Sequence, residues 1–280
     1  MLPIECYLRN QQAALDCSSI IVVMSLIAIT REVSPSINEC ELSFHGREPI
    51  DVPNAIAQHK AYQDCLAELG ARIVSLPAEP NLPDAVFVED TAVVLDEVAI
   101  IANMGASSRR PETASVAEAL GRYRPLKFLS GPATLDGGDV LRIGRAIFVG
   151  GSGRTNEQAI EQLRELCGGY DVRSIEVKGC LHLKSACSYI GNNTMLVHRP
   201  SMGMEQMSGF ELLDVAADEP AAANVLLLED TLIMPTSFPR TRVLLEERGF
   251  CVRSIDVSEL QKAEAGVTCC SLIFTHREEG

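Results

Sequence analysis

The chain has no Cys-x-x-Cys pair, no apolar run long enough to span a bilayer and no surplus of basic residues. Each absence excludes a class of protein. Its ten cysteines form no even framework of short spacings. Cys6, Cys17, Cys40, Cys65, Cys167, Cys180, Cys187 and Cys251 mostly fall in apolar patterns and read as small buried hydrophobes in a reducing, cytoplasmic compartment. The longest apolar stretch, Ile20 to Ile29, falls short of the roughly 20 residues that a membrane helix needs. Only one basic residue, Arg9, precedes it and no Ala-x-Ala site follows, so it reads as the approach to a buried strand, Leu26 to Arg31, and not as a secretory signal. With Lys+Arg at 24 and Asp+Glu at 38, the net charge is −14. That balance excludes a nucleic-acid backbone as partner and suits a cationic small molecule. No membrane partner is expected.

What the chain does have is a repeat. Phe87–Val94, Leu135–Leu141, His182–Cys187, Asn224–Leu228 and Gly266–Ser271 share one build: a polar cluster, an apolar strand, a tight polar turn and a second strand. Asp90, Asp136, His182, Asn224 and Cys269 are separated by 46, 46, 42 and 45 residues. A period of this length marks a radial or solenoid array of supersecondary units. The repeat covers nearly all of the 280 residues, so residues 20–280 are expected to form one domain, with residues 1–19 an extension outside the array.

Each unit reads as strand, turn, strand, helix, strand. The turns fall at Asp96-Glu97, Gly144-Arg145, Asn192-Asn193 and Glu229-Asp230, short and polar between apolar runs. Helical spacing of apolar residues predicts helices over 54–69, 155–167 and 239–248, each followed by glycine. Return strands are predicted at 72–76, 126–129, 172–177 and 252–257, the last two sharing Val-Arg-Ser-Ile-(Glu/Asp)-Val. Amphipathic helices outside and short strands inside give an α/β architecture, a five-fold α/β propeller with one pocket on its axis. Residues 35–47 are polar and without period; they read equally as a surface loop and as a lid over that pocket.

The frame of the repeat would bring Asp90, Asp136, His182 and Cys269 toward the axis. Cys269 is either a buried structural thiol or a nucleophile; strand alternation would turn its neighbour Cys270 the other way. His182 opens an inner segment in the same frame and would supply a proton shuttle beside a thiolate. Asp84, Glu89, Asp90, Asp136 and Asp139 are acidic residues within or beside apolar strands, costly unless paired, and a planar guanidinium would pair with them. They also read as turn and cap residues. Arg109, Arg154 and Arg240 sit before helices, where a cation opposes the macrodipole unless an anion is bound. The set fits a substrate with a guanidinium at one end and a carboxylate at the other.

Phe-Val-Glu-Asp-Thr at 87–91, Leu-Asp-Gly-Gly-Asp at 135–139, Arg-Thr-Asn at 154–156, Leu-His-Leu-Lys-Ser at 181–185 and Thr-Cys-Cys-Ser at 268–271 together resemble the dimethylarginine dimethylaminohydrolases, of the pentein superfamily. The likeness runs from about residue 26 to 275. It implies a five-fold α/β propeller that hydrolyses asymmetric dimethylarginine or monomethylarginine to citrulline and an amine. It assigns Cys269 as nucleophile, His182 as general acid/base and Asp136 to the catalytic set. It assigns Glu89 and Asp90 to the guanidinium, and Asp84, Arg109, Arg154 and, in the lid, Leu42 to the amino-acid end. It implies no cofactor and no catalytic metal, and a monomer or homodimer. Asp136 is glutamate in some bacterial relatives and aspartate on the animal-like branch. An arginine deiminase, an amidinotransferase and a silent guanidino-binding pentein are the rival readings.

Overall fold

The computed structural model describes residues 23–278, so the expectation for residues 1–19, with Cys6 and Cys17, lies outside the described residues. The first unit contains β1 (Val23–Arg31), α1 (Val52–Glu68) and β2 (Ala71–Leu76). The second contains β3 (Ala92–Val94), β4 (Ala99–Ile101), α2 (Thr113–Leu120) and β5 (Leu126–Phe128). The third contains β6 (Val140–Ile143), β7 (Ala146–Gly151), α3 (Glu157–Leu166) and β8 (Asp171–Glu176). A one-turn helix α4 (Leu183–Ala186) leads the fourth, with β9 (Cys187–Gly191), β10 (Thr194–Val197) and β11 (Glu211–Asp214). The fifth has β12 (Leu226–Leu228), β13 (Thr231–Pro235), α5 (Pro239–Glu247) and β14 (Cys251–Ile255). A short helix α6 (Ser258–Gln261) precedes the last strand, β15 (Leu272–Glu278).

These strands make five three-stranded sheets among the described residues. In each, an inner strand pairs antiparallel with a middle strand, which pairs parallel with an outer one. The hairpin supplies the tight antiparallel step, and the helix supplies the longer crossover that a parallel pair needs. This is the five-fold α/β propeller. One sheet is built from both ends of the described chain: β15 pairs with β1, Val23 opposite Glu278 through Ile29 opposite Leu272. The ring is thereby closed by main-chain hydrogen bonds.

Local chemistry explains the element boundaries. The four predicted turns are hairpin turns, and Asn192 (φ 48°) and Asn193 (φ 58°) adopt the left-handed backbone that a two-residue hairpin requires. Asp51 caps α1 by accepting from the Asn54 amide, and Asn156 caps α3 by accepting from the Ala159 amide. Gly70 follows α1 at φ 94°, a C-terminal conformation that a side chain would strain. The fourth unit departs from the predicted order. It has no α-helix between β10 and β11, only 3-10 turns at Arg199–Ser201 and Glu205–Met207. Pro200 and Gly203 lie in that stretch, and both discourage a helix interior.

The apolar core lies between the sheets and the outer helices. Ile160 and Leu163 of α3 pack with Ile100, Ile147 and Val149, all buried. Tyr62 and Leu66 of α1 pack with Ile233 and Cys270. The short segments that enter the inner strands are left free to carry polar groups at the axis.

Candidate active site

The polar residues of the repeat do not sit on the inner strands. They sit on short turns just before them. Glu89 and Asp90 lie on a 3-10 turn (Val88–Thr91) before β3; Asp136 lies at the entry to another (Gly137–Asp139) before β6. His182 stands at the residue before α4, and Cys269 lies in the loop ahead of β15. The sequence places His182 at the start of a strand, whereas β9 begins only at Cys187. A 3-10 turn spaces side chains by about a third of a turn per residue where a strand alternates them, and this decides which residues meet.

Asp90, His182 and Cys269 line one enclosed cavity, with Asp84, Arg109 and Arg154 around it. His182 Nε2 is 3.1 Å from Asp136 Oδ2, and its Nδ1 is 3.7 Å from Asp90 Oδ1. Gly138 lets the ring come this close: a Cβ there would lie 2.5 Å from Nδ1 of His182. Burial alone would lower the His182 pKa, but Asp90, the Asp136 hydrogen bond and Asp139 raise it to about 9. The imidazole is therefore protonated at neutral pH.

Cys269 Sγ accepts the Gly266 amide at 3.3 Å. Burial, then the charges of Glu89 and Asp90, push its thiol up to about 12. The resting nucleophile is a thiol, and a cation brought beside it would favour the thiolate. Cys270 is buried in the core, so the two cysteines do divide as predicted, but by the course of a loop and not by a strand.

Asp90 accepts from Arg109 Nη1 (2.8 Å) and from the Gly138 amide (3.0 Å). Burial would raise its pKa, yet the His182 and Arg109 charges outweigh that and hold it low. Arg109 is itself buried and donates to Glu112, with Nε at 3.1 Å and Nη2 at 3.0 Å, and from Nη2 to the Asp84 and Phe87 carbonyls at 3.4 Å. Glu112, a residue the sequence did not single out, is pushed up to about 7 by burial, against the pull of Arg109. Asp84 accepts the Glu41 amide at 3.1 Å. Arg154 donates from Nη2 to Ser43 Oγ (3.3 Å), while its buried Nη1 has no hydrogen-bond partner and its nearest carboxylate, Asp136, is 3.9 Å away. An unspent guanidinium donor in this wall is ready for an anion.

Other expected residues stand elsewhere. Asp136 is fully buried behind His182 and touches the cavity through it. Glu89 faces the opposite end of the axis, where it accepts from Lys184 Nζ (2.5 Å) and Thr268 Oγ1 (2.8 Å) and lines an axial channel of about 340 Å³. Leu42 packs on the core, and its neighbour Glu41 lines the cavity instead. Arg240 pairs with Asp218 at the surface. Asp139 is a fastener: it accepts from Ser152, Thr155 and the Leu183 amide, and so fixes the His182 turn. Asn224, the fourth polar position of the repeat, accepts the Thr268 amide at 3.2 Å and braces the loop that carries Cys269.

Asp90, Asp136 and His182 also have the donor types and closeness of a metal cluster. Asp136 and Asp90 are each engaged with protein donors, however, so the histidine already has the partners that a cation would displace. No helix among the described residues is long and apolar enough to cross a membrane.

Residues 27–273 match the family profile described as eukaryotic N,N dimethylarginine dimethylhydrolase. The chain is 38% identical over 248 residues to the N(G),N(G)-dimethylarginine dimethylaminohydrolase of Streptomyces coelicolor, across 88% of this chain and 95% of the relative. It is 32% identical to the protein of the same name from Pseudomonas aeruginosa, across 88% of this chain and 98% of the relative. A solved structure of that Pseudomonas protein, a cysteine-to-serine mutant complexed with citrulline, superposes with a TM-score of 0.84 at 30% identity, covering 89% of this chain and 98% of the other.

Proposed function

The chain belongs to the dimethylarginine dimethylaminohydrolase family, and on that premise we propose that it hydrolyses Nω-methylated arginines to citrulline and methylamine or dimethylamine. The observation that carries the reading is the enclosed cavity in which Cys269, a protonated His182 and the carboxylates of Asp84 and Asp90 face one another.

The substituted guanidinium binds against Asp90, within reach of Cys269, and its charge offsets the two carboxylates that otherwise hold the thiol protonated. The α-carboxylate takes the free Nη1 of Arg154, and the α-ammonium takes Asp84 and Glu41. As the cation binds, the Cys269 thiol loses its proton to solvent, and the thiolate attacks the central guanidino carbon, forming a C–S bond and a tetrahedral adduct. His182, which already holds a proton, gives it to the departing amine, and the C–N bond breaks. A covalent thiouronium remains. Neutral His182 then takes a proton from water, the hydroxide adds to the same carbon, and collapse of the second adduct breaks the C–S bond, the departing sulfur taking up the hydroxyl proton to restore the thiol and leave neutral citrulline. Asp136 acts through His182, holding the ring and stabilising its charge.

The same reading makes residues 20–280 one catalytic domain, a cytoplasmic enzyme that acts as monomer or homodimer on a small cationic amino acid. The deciding assay is citrulline release from asymmetric dimethylarginine, monomethylarginine and arginine in parallel, with Cys269→Ser as control. Release from the methylated substrates, lost in the variant, is expected. Turnover of arginine alone would instead identify a deiminase, and no turnover would leave a binding protein.

A further inference from the structure

The cavity at Cys269 has an accessible volume of only about 20 Å³. That is room for about one water molecule. An arginine-sized ligand does not fit, so the wall must move for any substrate to enter. Two sides of the axis are locked by buried ion pairs, Arg109 with Asp90 and Glu112, and Lys184 with Glu89. A third side is thin. There an adjoining chamber of about 340 Å³, open to solvent, shares Leu181, Ser185, Glu264 and Ala265 with the reactive cavity.

Glu264 stands in this partition. Its Oε1 accepts three successive main-chain amides, from Ser43 (2.9 Å), Phe44 (2.5 Å) and His45 (2.6 Å). Oε2 also accepts from Ser43, at 3.1 Å. Consecutive amides gathered on one carboxylate form an anion nest, and charge-assisted bonds of this kind are the strong ones. The backbone of Glu264 has φ 60°, a left-handed conformation that non-glycine residues seldom adopt. Segment 41–45 is otherwise held by single bonds, from the Glu41 amide to Asp84, Ser108 Oγ to Glu41 and Arg154 to Ser43, while Arg47 and Asn38 tie down the chain on either side.

We propose that Glu264 is the latch of the substrate gate. Closed, it holds segment 41–45 over Cys269; released, that segment swings away and joins the reactive cavity to the chamber, through which the substrate enters. Relatching over the bound substrate completes the enclosed site. Glu264 is thus a positioning residue, acting on substrate through the loop. The identity of the substrate rests on the hydrolase reading above; the latch does not.

The test is the rate at which iodoacetamide labels Cys269 in the full chain without substrate, read by peptide mass spectrometry and referenced to exposed Cys251. Glu264→Gln removes the charge; Glu264→Gly removes the side chain and relieves the left-handed backbone. Both variants should label Cys269 about tenfold faster than the wild type, the loss expected for one charge-assisted bond network. KM for a methylated arginine should rise, and by more than kcat falls. Labelling at the wild-type rate in both folded variants, acceleration in the glycine variant alone, or a fall in kcat without a rise in KM would each overturn the latch. Should neither variant fold, amide hydrogen exchange in the wild type decides: the Ser43, Phe44 and His45 amides must be protected, and fast exchange there rejects the proposal. Faster labelling with no turnover of any methylated arginine would leave the latch standing and remove the hydrolase reading.

Discussion

His182 Nε2 lies 3.1 Å from Asp136 Oδ2, and that aspartate has no exposure to solvent at all. The pair fixes both the direction and the charge of the imidazole. Asp136→Asn keeps the shape and removes the charge, so less favours the protonated ring. We expect kcat to fall by about 10²-fold or more with KM little changed. The pKa assigned to His182 in the pH profile of kcat/KM should move down from about 9. A uniform loss across pH would show that Asp136 only supports the fold.

His59 titrates in the opposite sense. It is buried on α1 with neither ring nitrogen hydrogen-bonded, and burial lowers its pKa from 6.5 to about 4. The unfolded chain therefore binds a proton at His59 more readily than the folded one. Stability is unaffected by this residue above pH 6.5 and is lost as pH falls from 6.5 toward 4, by at most about 3 kcal/mol. His182 has the reverse sign: its folded pKa, about 9, exceeds 6.5, so its contribution is full below pH 6.5 and is lost as pH rises through 9. His59→Met should flatten the acid limb of a urea-denaturation series measured from pH 10 to 4.5 and leave the alkaline limb alone. An unchanged acid limb would rule out His59 as its source.

Glu89 and Lys184 form a nearly buried pair at 2.5 Å that floors the axial channel. Glu89→Gln or Lys184→Met alone leaves one charge without its partner and should cost about 3–5 kcal/mol. The double variant should recover much of that, because it removes the desolvation cost of both ions. Citrulline production by the double variant should persist, since the Glu89 carboxylate is taken up by Lys184 and Thr268, and losing its charge removes one of the two that push the Cys269 thiol up. Loss of activity in a stable double variant would return Glu89 to the substrate-binding role that its motif suggests.

Arg154 keeps an unspent Nη1 in the cavity wall. Arg154→Lys keeps a charge but not the second planar donor. KM should rise about tenfold or more, with a smaller change in kcat. Agmatine-like substrates lacking the carboxylate should show no such penalty. A kcat defect equal for both substrates would place Arg154 in the chemistry instead.

The repeat frame was legible because its turns and helix ends depend on local chemistry. Asn192-Asn193 and the glycines after α1, α3 and α5 mark boundaries that no distant contact has to supply. The pairing of β1 with β15 was not legible, since its register joins residues some 250 positions apart. The site shows the same division. Cys269, His182 and Asp90 follow from period and residue type. Glu89 and Asp90 are adjacent acids in one motif carried on a 3-10 turn, yet Glu89 is taken up by Lys184 and Thr268 while Asp90 meets Arg109 and lines the cavity. Glu112 and Glu264 carry no motif; their roles come from burial and from amides on a remote loop.

The seam between β1 and β15 has a consequence in time. A ribosome delivers every strand of the other four sheets among the described residues before it delivers β15, and until then β1 has β2 but not its antiparallel partner. Cys269 lies three residues ahead of β15, so the nucleophile emerges in the same final stretch that shuts the ring. Assembly and reactivity are thereby scheduled together: a partly synthesised chain can hold carboxylates and a histidine, but no thiol stands among them until the fold is about to close.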